Sequence, residues 1–296
     1  MPPLSDHEAR QRLIGIALIC GALFCFTLLD TSAKFASSRG VATLEVVWCR
    51  NAISLVLAAI LLRPWRHLSD YVTHRPVIQL VRGLFLLLST ALNFLALRHL
   101  QLAQTVSITF AAPFIVTAFA GPLLGEWAGP RRWAAIVVGF IGVLIIVQPE
   151  PGAFQPAALY SIGAAATYAG YSLTTRMLSQ TESPASMLIY ASLLGTLVLT
   201  PPLPAVAALP TDWLVAGALA MTGIAATVGH WLLIFANRHA PATVLAPFSY
   251  TQIVWMTAAG YFVFHDVPNV STLIGAAIVI ASGLYVLYRE RVHRDR

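Results

Sequence analysis

Apolar residues occupy this chain in long blocks, and polar residues are confined to the short gaps between them. A run of about 20 apolar residues is long enough to cross a bilayer as a helix. Ten such runs follow one another, at roughly 13–36, 44–62, 77–97, 103–124, 133–147, 156–176, 186–200, 213–236, 243–264 and 271–288. The fifth and seventh are short. The connectors are brief and leave no room for a separate soluble domain, so the pattern predicts an all-α membrane protein with ten transmembrane helices.

The blocks also read as two loose copies. Ala96-Leu97-Arg98-His99 returns as Ala236-Asn237-Arg238-His239, and Glu126 returns as Asp266. Gly21-Ala22, followed by Asp30 and Lys34, returns as Gly163-Ala164, followed by Ser172 and Arg176. Five helices is an odd number, so a second copy must start on the opposite side of the membrane. The expected organisation is two inverted five-helix repeats, 12–148 and 156–290, related by a pseudo-twofold axis in the membrane plane, as in many transporters. The join, Gln148 to Gln155, holds Pro149, Pro151 and Gly152.

Composition narrows the class further. Of 296 residues, 58% are hydrophobic and only 10% charged, against about 25% charged in an ordinary soluble domain. Mean hydropathy is +0.75. The net charge of +6 sits between and outside the apolar runs. With the N-terminus inside, the cytoplasmic side collects Arg10, Arg12, Arg63, Arg66, Arg75, Arg131, Arg132, Arg176, Arg238, Arg289, Arg291, Arg294 and Arg296. The outer side keeps only Lys34, Arg39 and Arg98. This asymmetry predicts a multi-pass protein of the bacterial inner membrane with both termini cytoplasmic. No nucleic-acid motif is present. Cys20, Cys25 and Cys49 lie inside apolar runs and read as small packing residues.

Ionisable residues inside a span are expensive and call for a partner or a role. Asp30 and Lys34, four apart in the first span, share a face and are spaced to pair. Lys34 is the chain's only lysine. Arg50 in the second span is expected to reach Asp30 or a carbonyl on a neighbouring helix, and Glu45 lies near the outer surface. Arg82 in the third span is placed to snorkel to the cytoplasmic side. Asn93, deeper in that helix, reads equally as interhelical glue and as a solute contact. The second half contributes Tyr168 and Tyr171, His230 with Trp231, and Tyr250, Gln252 and Trp255, aromatic rings with polar tips suited to a flat or amphipathic solute. Pro113 and Pro122 interrupt the fourth span and Pro247 the ninth, which frees backbone carbonyls. Gly121 and Gly125 form a GxxxG spacing, and Gly139 and Gly142 are further small-residue contacts.

The stretch from Leu95 to Pro149 carries Ala103-Gln104-Thr105, Ala112-Pro113, Gly125-Glu126, Arg132-Trp133 and Gly139-Phe140-Ile141-Gly142-Val143. The second half has weaker counterparts in Ala246-Pro247-Phe248-Ser249-Tyr250, His265-Asp266-Val267-Pro268 and Gly275 to Gly283. Together these resemble the drug/metabolite transporter superfamily, in its ten-helix EamA-type branch. The resemblance implies two inverted repeats around a central cavity that opens to one side at a time. It is similar to carriers of amino acids, nucleosides and vitamins, and the Asp30-to-Lys34 pattern resembles subgroups that include riboflavin and S-adenosylmethionine carriers. His265-Asp266 departs from the family's usual Gly-Glu, and Glu126 and Asp266 read as loop-organising residues at helix ends.

The sequence thus predicts a secondary transporter of a small polar or amphipathic metabolite, working by alternating access. The expected solute contacts are Asp30, Lys34, Arg50, Asn93, Tyr168, His230, Tyr250 and Trp255, with Asp30 the candidate for proton coupling. The expected partners are a small-molecule solute and the lipid bilayer, with no nucleic acid, metal or cofactor. A lipid flippase on the same scaffold predicts a cavity open sideways to lipid. A membrane-embedded enzyme would need clustered acids or an HExxH-type set, and the sequence has neither. An NTP-binding loop is also missing.

Overall fold

A computed structural model describes residues 6–66, 71–125, 129–148, 155–179, 181–207, 212–240 and 242–294. Among these, the regular elements are all helical: α1 (Asp6–Ser38), α2 (Thr43–Leu62), α3 (Pro76–Leu97), α4 (Leu102–Thr109), α5 (Ala112–Leu124), α6 (Pro130–Val147), α7 (Ala158–Leu178), α8 (Pro184–Leu199), α9 (Trp213–His239), α10 (Ala242–Leu245), α11 (Thr251–Phe264) and α12 (Val270–Arg294). Glu126, Pro149, Pro151 and Gly152 lie outside the described residues.

Each of the ten apolar runs is helical, and two are broken. The fourth becomes α4 and α5, joined at Phe110 and Ala111 just before Pro113. The ninth begins with the single turn of α10 and a 3-10 turn, Ala246–Tyr250, that contains Pro247, before α11 starts. A proline lacks the N–H that would continue the preceding turn, which explains both breaks. Four runs with α1 trimmed to Arg10–Ser38, α2, α3 and α9, and the joined stretch Leu102–Leu123, are long and apolar enough to cross a membrane; Trp133–Val147, Pro184–Leu199 and Val270–Tyr285 are shorter apolar helices. Large apolar side chains such as Phe262, Leu197, Val138 and Leu273 point away from the protein. A soluble protein does not leave so much contiguous apolar surface to water.

The helices pack in antiparallel pairs at small residues. Gly15 of α1 meets Ala240 and Gly229 of α9 meets Phe26. Gly163 of α7 meets Leu92 and Gly170 meets Phe85, so α3 and α7 run oppositely. Gly195 of α8 abuts Asn51 of α2, and Trp48 Nε1 donates to Thr200 Oγ1 at 3.0 Å. Gly142 of α6 lies against the carbonyl of Gly275 on α12, while Ser282 donates to Ala135 O. Gly125 does not serve a helix crossing as its GxxxG spacing predicts. It ends α5 in the left-handed conformation, φ +74°, with open space around it. His265 ends α11 in the same way at φ +57°.

The face on which α1 begins is here the near face, and the opposite one the far face. α1 ends on the far face, where Arg39 pairs with Asp212 just before α9 at 3.5 Å. The largest apolar cluster fills the far half between the helices, with Leu29, Val46, Phe94, Leu102, Leu219 and Met256 among its members. On the near face, Glu182 Oε1 accepts from Thr73 Oγ1 and from the backbone N–H groups of His74 and Arg75. A carboxylate thus holds the start of α3, where the helix dipole favours negative charge.

Candidate functional site

Below the far-side apolar cluster lies a cavity lined by Arg50 and Ser54 of α2, Arg82 and Leu86 of α3, Tyr171 of α7, Leu188, Ala191 and Ser192 of α8, and Thr227 and His230 of α9. The cavity is small, about 20 Å³, about the room that one water molecule needs. Its polar lining stands out in a protein whose spans are built from aliphatic residues.

Arg82 is the most constrained of these side chains. It is 4% exposed. Nε donates to Thr175 Oγ1 at 2.8 Å, Nη1 to the Met187 carbonyl at 2.9 Å and Nη2 to the Tyr171 hydroxyl at 3.0 Å. Its guanidinium also stands over the Tyr171 ring, 4.7 Å from the centroid. A planar fork with five N–H groups suits this divergent set of acceptors in a way that an ammonium does not. Arg82 therefore does not snorkel as the sequence predicts; it clamps α3 to α7 and α8 from within.

Arg50 is 7% exposed and far less satisfied. Its guanidinium makes one hydrogen bond among the described residues, from Nη1 to Asn51 Oδ1 at 3.3 Å, and its buried Nε makes none. It lies within electrostatic reach of Asp30, Tyr171 and His230. Asp30 Oδ1 in turn accepts from Asn93 Nδ2 at 3.0 Å, so Asn93 does tie two helices together. Arg50 thus does not reach Asp30 by a hydrogen bond as expected, and the two influence each other only electrostatically. Glu45, expected near the surface, is buried at the far end of α2. Ser54 and Thr227 both donate to the carbonyl of Gly223, at 3.2 and 2.9 Å. A Cβ at Gly223 would stand 2.4 Å from Ile53, so glycine is what lets α9 approach α2 here. His230 stacks edge-on against Phe26, centroids 5.1 Å apart.

The other expected contacts lie elsewhere. The pairing of Asp30 with Lys34 does not form. Lys34 Nζ binds Asp266 Oδ2 at 2.7 Å and the Leu100 carbonyl at 2.9 Å, and lies 4.8 Å from the centroid of the Phe264 ring. The physical reason is position: Lys34 sits a turn nearer the far face than Asp30, level with the end of α11, while Asp30 is held by Asn93. Tyr168 is 43% exposed and meets the site at Tyr171, ring centroids 5.7 Å apart. Tyr250 packs edge-on against Phe110 at 5.1 Å, with its hydroxyl against Gly283. Trp255 packs on Phe24 at 5.4 Å, and both rings stay partly exposed. The cavity thus brings together Arg50 and His230 with Asp30 and Asn93 close by, and leaves Lys34, Tyr250 and Trp255 apart. Tyr171 and Arg82 are the residues the sequence undervalued. Their signal was the polar face of α7, where Tyr171 and Thr175 stand four apart opposite the only arginine of the third span.

Among the described residues no group of three or more His, Cys, Asp or Glu side chains is placed to hold a metal ion. The three cysteines are free thiols.

Comparison with known proteins sets this geometry in a family. The chain matches the EamA-like transporter family at residues 13–148 and again at 155–288. It is 28% identical to the S-adenosylmethionine uptake transporter of Rickettsia prowazekii, over 97% of this chain and 96% of that one. It is 29% identical to the riboflavin transporter of Vibrio cholerae, with 94% of each covered, and 27% identical to the pseudopaline exporter CntI of Pseudomonas aeruginosa, with 90% and 94% covered. A crystal structure that shares 20% sequence identity superposes with a TM-score of 0.61 over 95% of this chain and 97% of that one, which speaks to the fold alone.

Proposed function

Because the chain belongs to the EamA-like transporter family, and is a multi-pass membrane protein whose relatives are named as transporters of small molecules rather than as enzymes, we propose that it is a secondary carrier that binds its solute in the cavity around Arg50 and exposes it to each side in turn. The observation that carries this reading is the guanidinium of Arg50, buried in the wall of the cavity with an Nε that has no hydrogen-bond partner. Leaving a buried charged donor unsatisfied costs about 1–3 kcal/mol or more. A structural arginine is normally satisfied, as Arg82 is, so the deficit at Arg50 fits a group reserved for a passing solute.

Alternating access needs two halves that rock about the site. The antiparallel pairing of α2 with α8, of α6 with α12, and of α1 with α9 alongside α3 with α7 is what two inverted repeats, 12–148 and 156–290, would give. In this reading the near face is cytoplasmic, as the arginine distribution favours, and the protein lies in the inner membrane. The far side is held shut by the apolar cluster and by the Lys34–Asp266 ion pair, and the cavity belongs to the near side. Asp30, Arg50, Asn93 and His230 serve the solute, Asp30 being the candidate for proton coupling. Lys34 acts on the gate, and Tyr168, Tyr250 and Trp255 are carried as outer members of the same solute path.

The test is uptake into proteoliposomes, screening metabolites that include S-adenosylmethionine and riboflavin, with and without a pH gradient. Accumulation or counterflow of one of them is expected. Arg50→Gln is expected to lower it by at least about tenfold, the equivalent of one charged hydrogen bond. Full activity in Arg50→Gln would remove the assigned site, and failure of every solute to exchange would remove the transport reading itself.

A further inference from the structure

The hydrogen-bond ledger of the cavity is lopsided, and its direction defines a chemical class of solute. On one side stand donors with nothing to donate to. Arg50 offers Nε–H. Tyr171 uses its oxygen to accept from Arg82 Nη2, so its own hydroxyl proton is left for the cavity. On the other side stand acceptors. Ser54 and Thr227 have both committed their protons to the carbonyl of Gly223, and a hydroxyl that donates in this way still presents its lone pairs. None of the residues lining the cavity is acidic.

We propose that Arg50 and the Tyr171 hydroxyl form an oxyanion clamp that receives a carboxylate of the solute, with Ser54 and Thr227 accepting hydrogen bonds from a neighbouring N–H group. This deepens the transport reading of the same cavity and rests on it. Arg82 is a positioning residue: by occupying the tyrosine oxygen from behind, it turns the O–H forward. Charge supports a carboxylate over a phosphate dianion. Arg50 and Arg82 bring two positive charges and nearby Asp30 one negative, so a single negative charge neutralises the group. A dianion would leave an excess charge buried in low dielectric, which is strongly disfavoured. Arg82 has also spent three donors on protein acceptors, so the cavity lacks the second free guanidinium that phosphate recognition favours.

The experiment is direct binding to the purified full-length protein in nanodiscs. The probes are a radiolabelled panel of amino, hydroxy and dicarboxylic acids including S-adenosylmethionine, the carboxamide analogue of whichever acid binds, and uncharged riboflavin. At least one carboxylate is expected to bind, and its carboxamide at least about tenfold more weakly. Tyr171→Phe should shrink that preference, and Arg50→Gln should abolish it. Arg82→Met should shrink it as Tyr171→Phe does. Equal binding of acid and amide would overturn the clamp, as would a carboxylate preference that survives in both Arg50→Gln and Tyr171→Phe. Binding and counterflow of riboflavin with no carboxylate bound would overturn it too, and in that case the transport reading stands. If Arg50→Gln elutes as aggregate, Tyr171→Phe decides alone, since it removes one oxygen and keeps the ring over Arg82.

Discussion

Arg82 and Arg50 are the same residue type at similar burial, and they differ in what they touch. Arg82 closes three hydrogen bonds on two other helices, while the buried Nε of Arg50 closes none. Replacing Arg82 by methionine is therefore expected to separate stability from transport. Swapping a buried charge for an apolar side chain also removes its desolvation cost, and Thr175 keeps its bond to the Tyr171 carbonyl at 2.7 Å. Thermal unfolding should show a loss of no more than about 2 kcal/mol, whereas solute exchange should fall by at least about tenfold because the Tyr171 proton is no longer aimed. Collapse of the fold in Arg82→Met would make it a purely structural clamp. At this scale the sequence placed Asp30, Arg50 and Asn93 inside the spans but not their partners: Asp30 accepts from Asn93, and Arg50 donates to Asn51. It was misleading for Lys34, because spacing of four on one helix makes a pair possible but says nothing of a stronger carboxylate arriving from a residue 232 positions away.

Helix ends carry the plainest trace of the duplication. Gly125 closes α5 and His265 closes α11, 140 positions apart, and both adopt left-handed backbone, at φ +74° and +57°. Glycine takes that conformation without penalty, while a side chain costs about 1 kcal/mol or more. His265→Gly is expected to raise stability by about 0.5–1 kcal/mol, read as a higher unfolding temperature in detergent with solute exchange unchanged. A lower unfolding temperature would mean that the imidazole makes contacts that outweigh the strain. At the crossing of α6 and α12, a Cβ on Gly142 would stand 2.9 Å from the Gly275 carbonyl. Gly142→Val should accordingly force the two helices apart and lower both yield and unfolding temperature, since close backbone approach is what holds apolar helices together in lipid. Element existence and the proline breaks were readable from block length and ring chemistry. The use of Gly125 was not, because the same four-residue spacing serves a helix crossing or a helix end, and only the third dimension distinguishes them.

At the scale of the whole molecule, the far side holds the largest apolar cluster, the Arg39–Asp212 pair and the Lys34–Asp266 pair that joins α1 to the segment after α11, which the proposed cycle uses as its gate. The latter pair is partly buried, 14% and 26% exposed at the two side chains, so its loss should be felt. Lys34→Ala or Asp266→Asn is expected to shift the population toward a state open on that side, by about tenfold for a pair worth 1.4 kcal/mol. Maleimide labelling of Leu29→Cys, in a background where Cys20, Cys25 and Cys49 are alanine, would measure it. Exchanging the two residues, Lys34→Asp with Asp266→Lys, should return labelling to its original rate. Unchanged rates in the single variants would relieve the pair of any gating role. The ten-helix plan was legible in the sequence because lipid imposes length and apolarity on every span; the contact of Lys34 with Asp266 was not, since it joins residues far apart in the chain. Lys34 being the chain's one lysine has a practical corollary: apart from the α-amino group, an acylating reagent has a single amine to find. Mass spectrometry of the acylated, otherwise unaltered protein would then count molecules caught with the latch undone, a stopwatch for the cycle that requires no engineered label.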